Sequence, residues 1–301
     1  MATLTTSNAP YNSTNAIFQA WGSGIDGAFT TFGWVRTSDT GQVNWTTVPF
    51  PTVANSSQGY SIFKMADSLQ GTYPCFIKIE YGSFTPALNP GLWITIGTGS
   101  DGSGNITGIL KARLQIAPWN NVNTSWPSYF SGSADRYCAV LWPIGSNNYY
   151  YTMFSIERTK NASGATTGDG LMFFTNTYIT GTGTSCHYLP FSGTVPPSYA
   201  NWNCNIPQAL NPSVGGAFKN TTAMYPVKCW TPGESGPSTN IFLYTISDFT
   251  ASVNNTVQLT LFDGAITGAY LPMLINTPSQ CFFPPVYRGP ASNISLAMRW
   301  E

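Results

Sequence analysis

The chain has 301 residues, of which 42% are hydrophobic, 15% aromatic and only 8% charged, with a formal net charge of +0. An ordinary soluble domain carries about 25% charged residues, so this one relies on Ser, Thr, Asn and Gly for its surface, and its copies have little charge to keep them apart. The composition excludes disorder, which goes with few aromatics. It also excludes a nucleic-acid footprint, since no basic run exists, and a membrane span, since the apolar stretches are too short.

Residues 1–13 read as an extended arm. They hold neither a basic nor an apolar leader region, so no secretory signal is expected and folding in a cytosol is. Ile17, Trp21, Ile25, Phe29 and Phe32 follow at spacings that share one helical face, which predicts an amphipathic helix over 14–32 capped by Ser13 or Thr14. Gly22, Gly24 and Gly27 oppose it at up to about 1 kcal/mol each. The helix therefore needs tertiary packing, and a break near Gly22–Gly24 is expected.

Strand signals then take over. In 76–81, Ile77 and Ile79 alternate with Lys78 and Glu80, the pattern of a strand with one buried face. A strand at 92–96, a Gly-rich loop at 97–105 and a returning strand at 106–116 predict a long hairpin. A second hairpin pairs 137–142 with 149–158 through a turn at Asn147-Asn148, and 170–176 is a further strand. Residues 181–239, with Pro196, Pro197, Pro207, Pro212, Pro232 and Pro237, read as long ordered loops or a projecting face. Strands resume at 240–247 and 256–262, and 296–300 reads as a last short one. The expected fold is mainly β, an antiparallel sandwich or barrel-like arrangement with one N-terminal amphipathic helix. Two modules are expected: 1–116, a helix plus β module for docking and assembly, and 117–301, a Gly/Pro/Ser/Thr-rich β domain with long loops.

The chemistry-bearing residues are sparse. His187 is the single histidine and stands beside Cys186; the spacing of its neighbours fits no zinc site, and it reads as a packed or loop histidine. The six cysteines are widely spaced and read as buried free thiols. Cys186 and Cys204, flanking a Pro-rich loop, are the pair a disulfide would take. The Asp101–Asn105 run has oxygen donors at alternate positions, but Ala112 stands where a calcium loop needs its bidentate Glu, so a hairpin turn is expected. The twelve acidic residues include no close pair in sequence. No catalytic residue, metal ligand or cofactor is assigned. Trp119, Trp126, Tyr149, Tyr150 and Trp202 could stack on sugar rings; subunit interface is the favoured use of such aromatics. Ile17, Trp21, Phe29 and Trp34 are the candidate interface anchors, with intrachain core an equal reading for Trp21, Phe29 and Trp34.

Several strings in about the first 115 residues belong together: Phe18-Gln19-Ala20-Trp21, Gly33-Trp34-Val35, Asp39-Thr40-Gly41-Gln42-Val43-Asn44, Gly59-Tyr60-Ser61-Ile62-Phe63-Lys64 with Asp67, Phe76-Ile77-Lys78-Ile79-Glu80-Tyr81-Gly82, and Ile96-Gly97-Thr98-Gly99 before Asp101-Gly102-Ser103-Gly104-Asn105. Together they resemble a module of virion-associated proteins of tailed bacteriophages. The resemblance implies a structural component of the tail, neck, baseplate or fibre region, made in the host cytoplasm and located in the virion. It brings no catalytic residues. The implied partners are further copies of the chain and other virion proteins. The alternative expectation is a receptor-binding module that takes host surface glycan.

Overall fold

A computed structural model describes residues 2–6, 14–84, 89–116, 128–142, 152–160, 165–176, 184–192, 223–226, 242–246, 260–261 and 294–298. The described residues form strands β1 (Ala2–Thr6), β2 (Val35–Arg36), β3 (Ser56–Lys64), β4 (Phe76–Phe84), β5 (Asn89–Ser100), β6 (Ile106–Ile116), β7 (Ser128–Ser133), β8 (Arg136–Trp142), β9 (Thr152–Lys160), β10 (Thr166–Asn176), β11 (Thr184–Pro190), β12 (Ala223–Pro226), β13 (Phe242–Ile246), β14 (Thr260–Leu261) and β15 (Ile294–Met298), with one helix, α1 (Asn15–Thr31). The chain is mainly β, with antiparallel sheets and an N-terminal helix. It divides into two compact units, Met1–Thr159 with Thr166–Asn203, and Lys160–Ala165 with Cys204–Glu301.

In the first unit a five-stranded sheet runs β2-β3-β4-β5-β6 and a six-stranded sheet runs β1-β7-β8-β9-β10-β11. The extended arm expected at 1–13 thus contributes β1, antiparallel to β7. Ile116, where a first module was expected to end, closes the five-stranded sheet, and the compact unit continues past it because both sheets share one core. The β5–β6 hairpin differs from expectation. Strand β5 continues through Gly97 to Ser100, so only 101–105 remain as the turn. The stretch 181–239, expected as loops, contains β11 and β12. In the second unit the described strands run β14-β12-β13-β15, with β12 antiparallel to β13 and parallel to β14. The turn expected at Asn147-Asn148 lies outside the described residues.

Helix α1 joins the two sheets. Thr14 is its N-cap, with Oγ1 accepting from Ile17 N at 3.3 Å. At the other end Gly33 takes φ +90; its N–H donates to Thr30 O and Trp34 N–H donates to Phe29 O, each at 3.0 Å. This is a Schellman stop, and its usual apolar contact is the Phe29–Trp34 ring pair at 5.2 Å. Phe18, Trp21, Ile25, Ala28 and Phe29 are fully buried. Four large side chains at about 1.5–3 kcal/mol each outweigh about 3 kcal/mol for three glycines, and the helix runs unbroken through Gly22–Gly24. Gly22 is an adaptation to packing. A Cβ there would overlap the Trp45 ring.

Phe29 is the keystone of the shared core. Its ring stacks on Phe63 of β3 at 4.6 Å and on Tyr137 of β8 at 3.6 Å, so one helical side chain touches both sheets. Helix α1 packs against β1, β2 and β7, while β11 runs beside β6. Trp34 Nε1 donates to Ser133 O at 3.0 Å, tying the entry to β2 to the β7–β8 hairpin. On β9, Phe154 and Ile156 face the core, and Ser155, Glu157 and Thr159, on the opposite side, are buried too.

Candidate functional site

The sequence-derived anchors separate on inspection. Trp21, Phe29 and Trp34 are at most 2% exposed and belong to the intrachain core, so they are not available as interface anchors. The apolar face of α1 is broad enough to be enclosed by two sheets, and enclosure takes all three. Ile17 sits at its margin, half-buried, and Phe18 occupies the centre instead. The stacking candidates Trp119, Trp126, Tyr149, Tyr150 and Trp202 lie outside the described residues.

The most elaborate polar arrangement is one that the sequence reading missed. Asp26 lies on the buried face of α1. Its Oδ2 accepts from Trp45 Nε1 and from Ser61 Oγ, both at 2.6 Å, and its Oδ1 accepts from the Tyr81 hydroxyl at 2.5 Å. Behind Ser61 stands Arg36, whose Nη2 reaches Ser61 Oγ at 3.4 Å and Val43 O at 2.8 Å, while its Nε donates to Gln42 at 3.1 Å. Burial pushes the Asp26 carboxyl up, against the pull of the Ser61, Tyr81 and Trp45 donors and the charge of Arg36. Burial and then the Asp26 charge push the Tyr81 phenol well up, which keeps it a donor. A carboxylate beside a phenol would suit acid–base chemistry only within reach of a substrate. Here Asp26 is 7% exposed and Tyr81 0%. The arrangement fastens the helix to β3, β4 and the segment carrying Trp45. Its sequence signal was present: Asp26 is four residues after Gly22 and three before Phe29, a carboxylate on the apolar face.

Among the described residues, four further carboxylates are engaged by the scaffold. Asp67 receives a two-nitrogen fork from Arg158, with Nη2 at 2.9 Å from Oδ1, and the Arg158 side chain is fully buried. Glu80 receives Arg113 at 2.8 and 3.3 Å, and that guanidinium lies 4.1 Å over the Trp93 ring. Asp101 accepts from the N–H groups of Ser103 and Asn105 and from the Asn105 amide, which makes the 101–105 run a self-capped turn. The Asn105 side chain and these N–H groups lower the Asp101 carboxyl. Asp39 accepts from Ser100 Oγ at 2.8 Å and Gly104 N at 3.1 Å; burial would raise its carboxyl, but these and neighbouring donors leave it lowered.

His187 is half-buried on β11, its ring 6.2 Å from Phe173. Burial, and then the Lys111 charge, bring it down to about 4, so it is neutral at pH 7. Cys75 and Cys138 are buried, and burial pushes the Cys75 thiol up to about 12, far from thiolate chemistry at neutral pH. Cys204, and with it the pairing expected with Cys186, lies outside the described residues. Among the described residues no helix is long and apolar enough to cross a membrane.

The surface shows how the scarce charge is used. Of the fifteen Asp, Glu, Lys and Arg side chains whose exposure is described, four are exposed: Arg36, Asp101, Arg113 and Asp169. Apolar side chains come out where charge does not. Val35, Lys64, Phe76, Gly97 and Ile109 are successive register partners across the five-stranded sheet, and Val35 and Ile109 at the two ends are 45% and 60% exposed. Comparison with known proteins finds no matching family model, no matching curated protein and no matching solved structure.

Proposed function

We propose that this chain is a non-enzymatic structural component of a tailed-bacteriophage virion, placed in the tail, neck, baseplate or fibre region and acting through protein–protein assembly. The observation that carries the reading is how few of the described charged side chains are exposed. A chain already poor in charge leaves four of fifteen described charged side chains exposed, and two of these, Arg36 and Arg113, hydrogen-bond to their own sheet module. Such a neutral surface favours association with copies or neighbours. The exposed ends of the Val35–Ile109 row add apolar area for lateral packing. The carboxylates described above hold turns, a helix and a sheet face, which is the work of a scaffold.

The test is sedimentation of the purified chain over a wide concentration range, alone and with proteins from dissociated virions. The reading predicts self-association or capture by a virion protein. A monomer that stays monomeric and binds no virion protein contradicts it.

A further inference from the structure

The first charged residue of the chain is Asp26. Ahead of it, Ala2–Thr6 forms β1 at the edge of the six-stranded sheet, where β7 is its one partner among the described strands. The register is Ala2 with Gly132, Leu4 with Phe130 and Thr6 with Ser128. Phe130 is fully buried in the core that α1 shares. The β7 edge is taken up by a short uncharged strand whose central residue, Leu4, is the register partner of Phe130.

A five-residue strand held on one side is the kind of element that opens before the rest of a fold. The nine Cα steps from Thr6 to Asn15 span at most about 30 Å, which sets the reach of β1 from the start of α1. A neighbouring copy within that reach presents the same β7 edge. The exchanged strand makes every bond that the chain's own strand makes, and little surface charge opposes the approach.

We infer that Ala2–Thr6 is exchanged between copies, so that β1 of one copy completes the six-stranded sheet of the next. The inference rests on the assembly reading above and names its partner, a second copy of this chain. Reciprocal exchange between two copies closes a two-fold dimer, and exchange passed on from copy to copy builds a ring or a filament.

The test uses register partners. Antiparallel neighbours lie about 4.5–5.5 Å apart at Cα, within disulfide range, and Thr5 pairs with Tyr129. An isotope-labelled full-length Thr5→Cys protein is mixed with unlabelled Tyr129→Cys protein, co-assembled, oxidised mildly and mapped by mass spectrometry. Exchange predicts a 5–129 disulfide joining labelled to unlabelled chains. In the Thr5→Cys/Tyr129→Cys double variant it predicts covalent oligomers. Leu4→Asp, which places a charge at the centre of the strand, is expected to weaken association about tenfold or more while the unit stays folded. Oligomers whose 5–129 links are all intrachain, or whose association is unchanged by Leu4→Asp, overturn exchange and leave the assembly reading standing. A 32.6 kDa monomer at every concentration, with intrachain links only, removes both.

Discussion

Asp26 makes the sharpest residue-scale predictions. Its carboxyl is raised in the folded chain, so its contribution to stability is fully present below the ordinary value of 3.8 and is lost as pH rises through the raised folded value. Asp26→Asn removes that titration. Urea unfolding from pH 3 upward should show the wild-type protein losing ground to Asp26→Asn as pH rises; parallel curves would contradict the account. Asp26→Ala leaves the Trp45, Ser61 and Tyr81 donors without their acceptor and should cost about 2–4 kcal/mol. Two glycines of α1 give a matched contrast. A Cβ at Gly27 meets nothing within 4 Å, so Gly27→Ala should stabilise by about 0.5–1 kcal/mol. Gly22→Ala meets the Trp45 ring and should destabilise by about 1–3 kcal/mol. Thermal unfolding of the two variants checks the opposite signs.

At the scale of elements, the helix was largely legible in the sequence. Its cap at Thr14 and its periodicity are local properties, and its length follows from them. Whether glycine breaks it was not legible, because that depends on Trp45 closing over Gly22 from 23 residues away. The alternation in β4 was equally readable, with Ile77 and Ile79 inside and Lys78 and Glu80 outside. The end of β5 was not. Gly97 and Gly99 look like loop residues until β6 pairs with them across two register shifts. The Arg158–Asp67 junction lies furthest from local signals, joining residues 91 positions apart. Asp67→Ala leaves a fully buried guanidinium uncompensated and should cost about 3–5 kcal/mol, whereas Asp67→Leu with Arg158→Met should cost clearly less. Equal losses in both, measured by chemical denaturation, would show that the ion pair is not what holds the junction.

At the scale of the whole molecule, composition was the most telling feature, and the structure sharpens it. Few charges could still have been spread over the surface; among the described residues Asp26 is instead held inside by Trp45, Ser61 and Tyr81, and Asp67 by the buried Arg158. The anchors read from the sequence, Trp21, Phe29 and Trp34, face inward, because amphipathic spacing identifies an apolar face but not what covers it. Among the described residues what remains exposed is poor in charge, with apolar side chains at the ends of one sheet row, which is the basis for reading the chain as one part of a larger assembly. The most direct test is quantitative mass spectrometry of purified virions, counting copies of this chain per particle. The account predicts a small, fixed number that matches the symmetry of a ring or a set of fibres. Absence of the chain from the particle would contradict it.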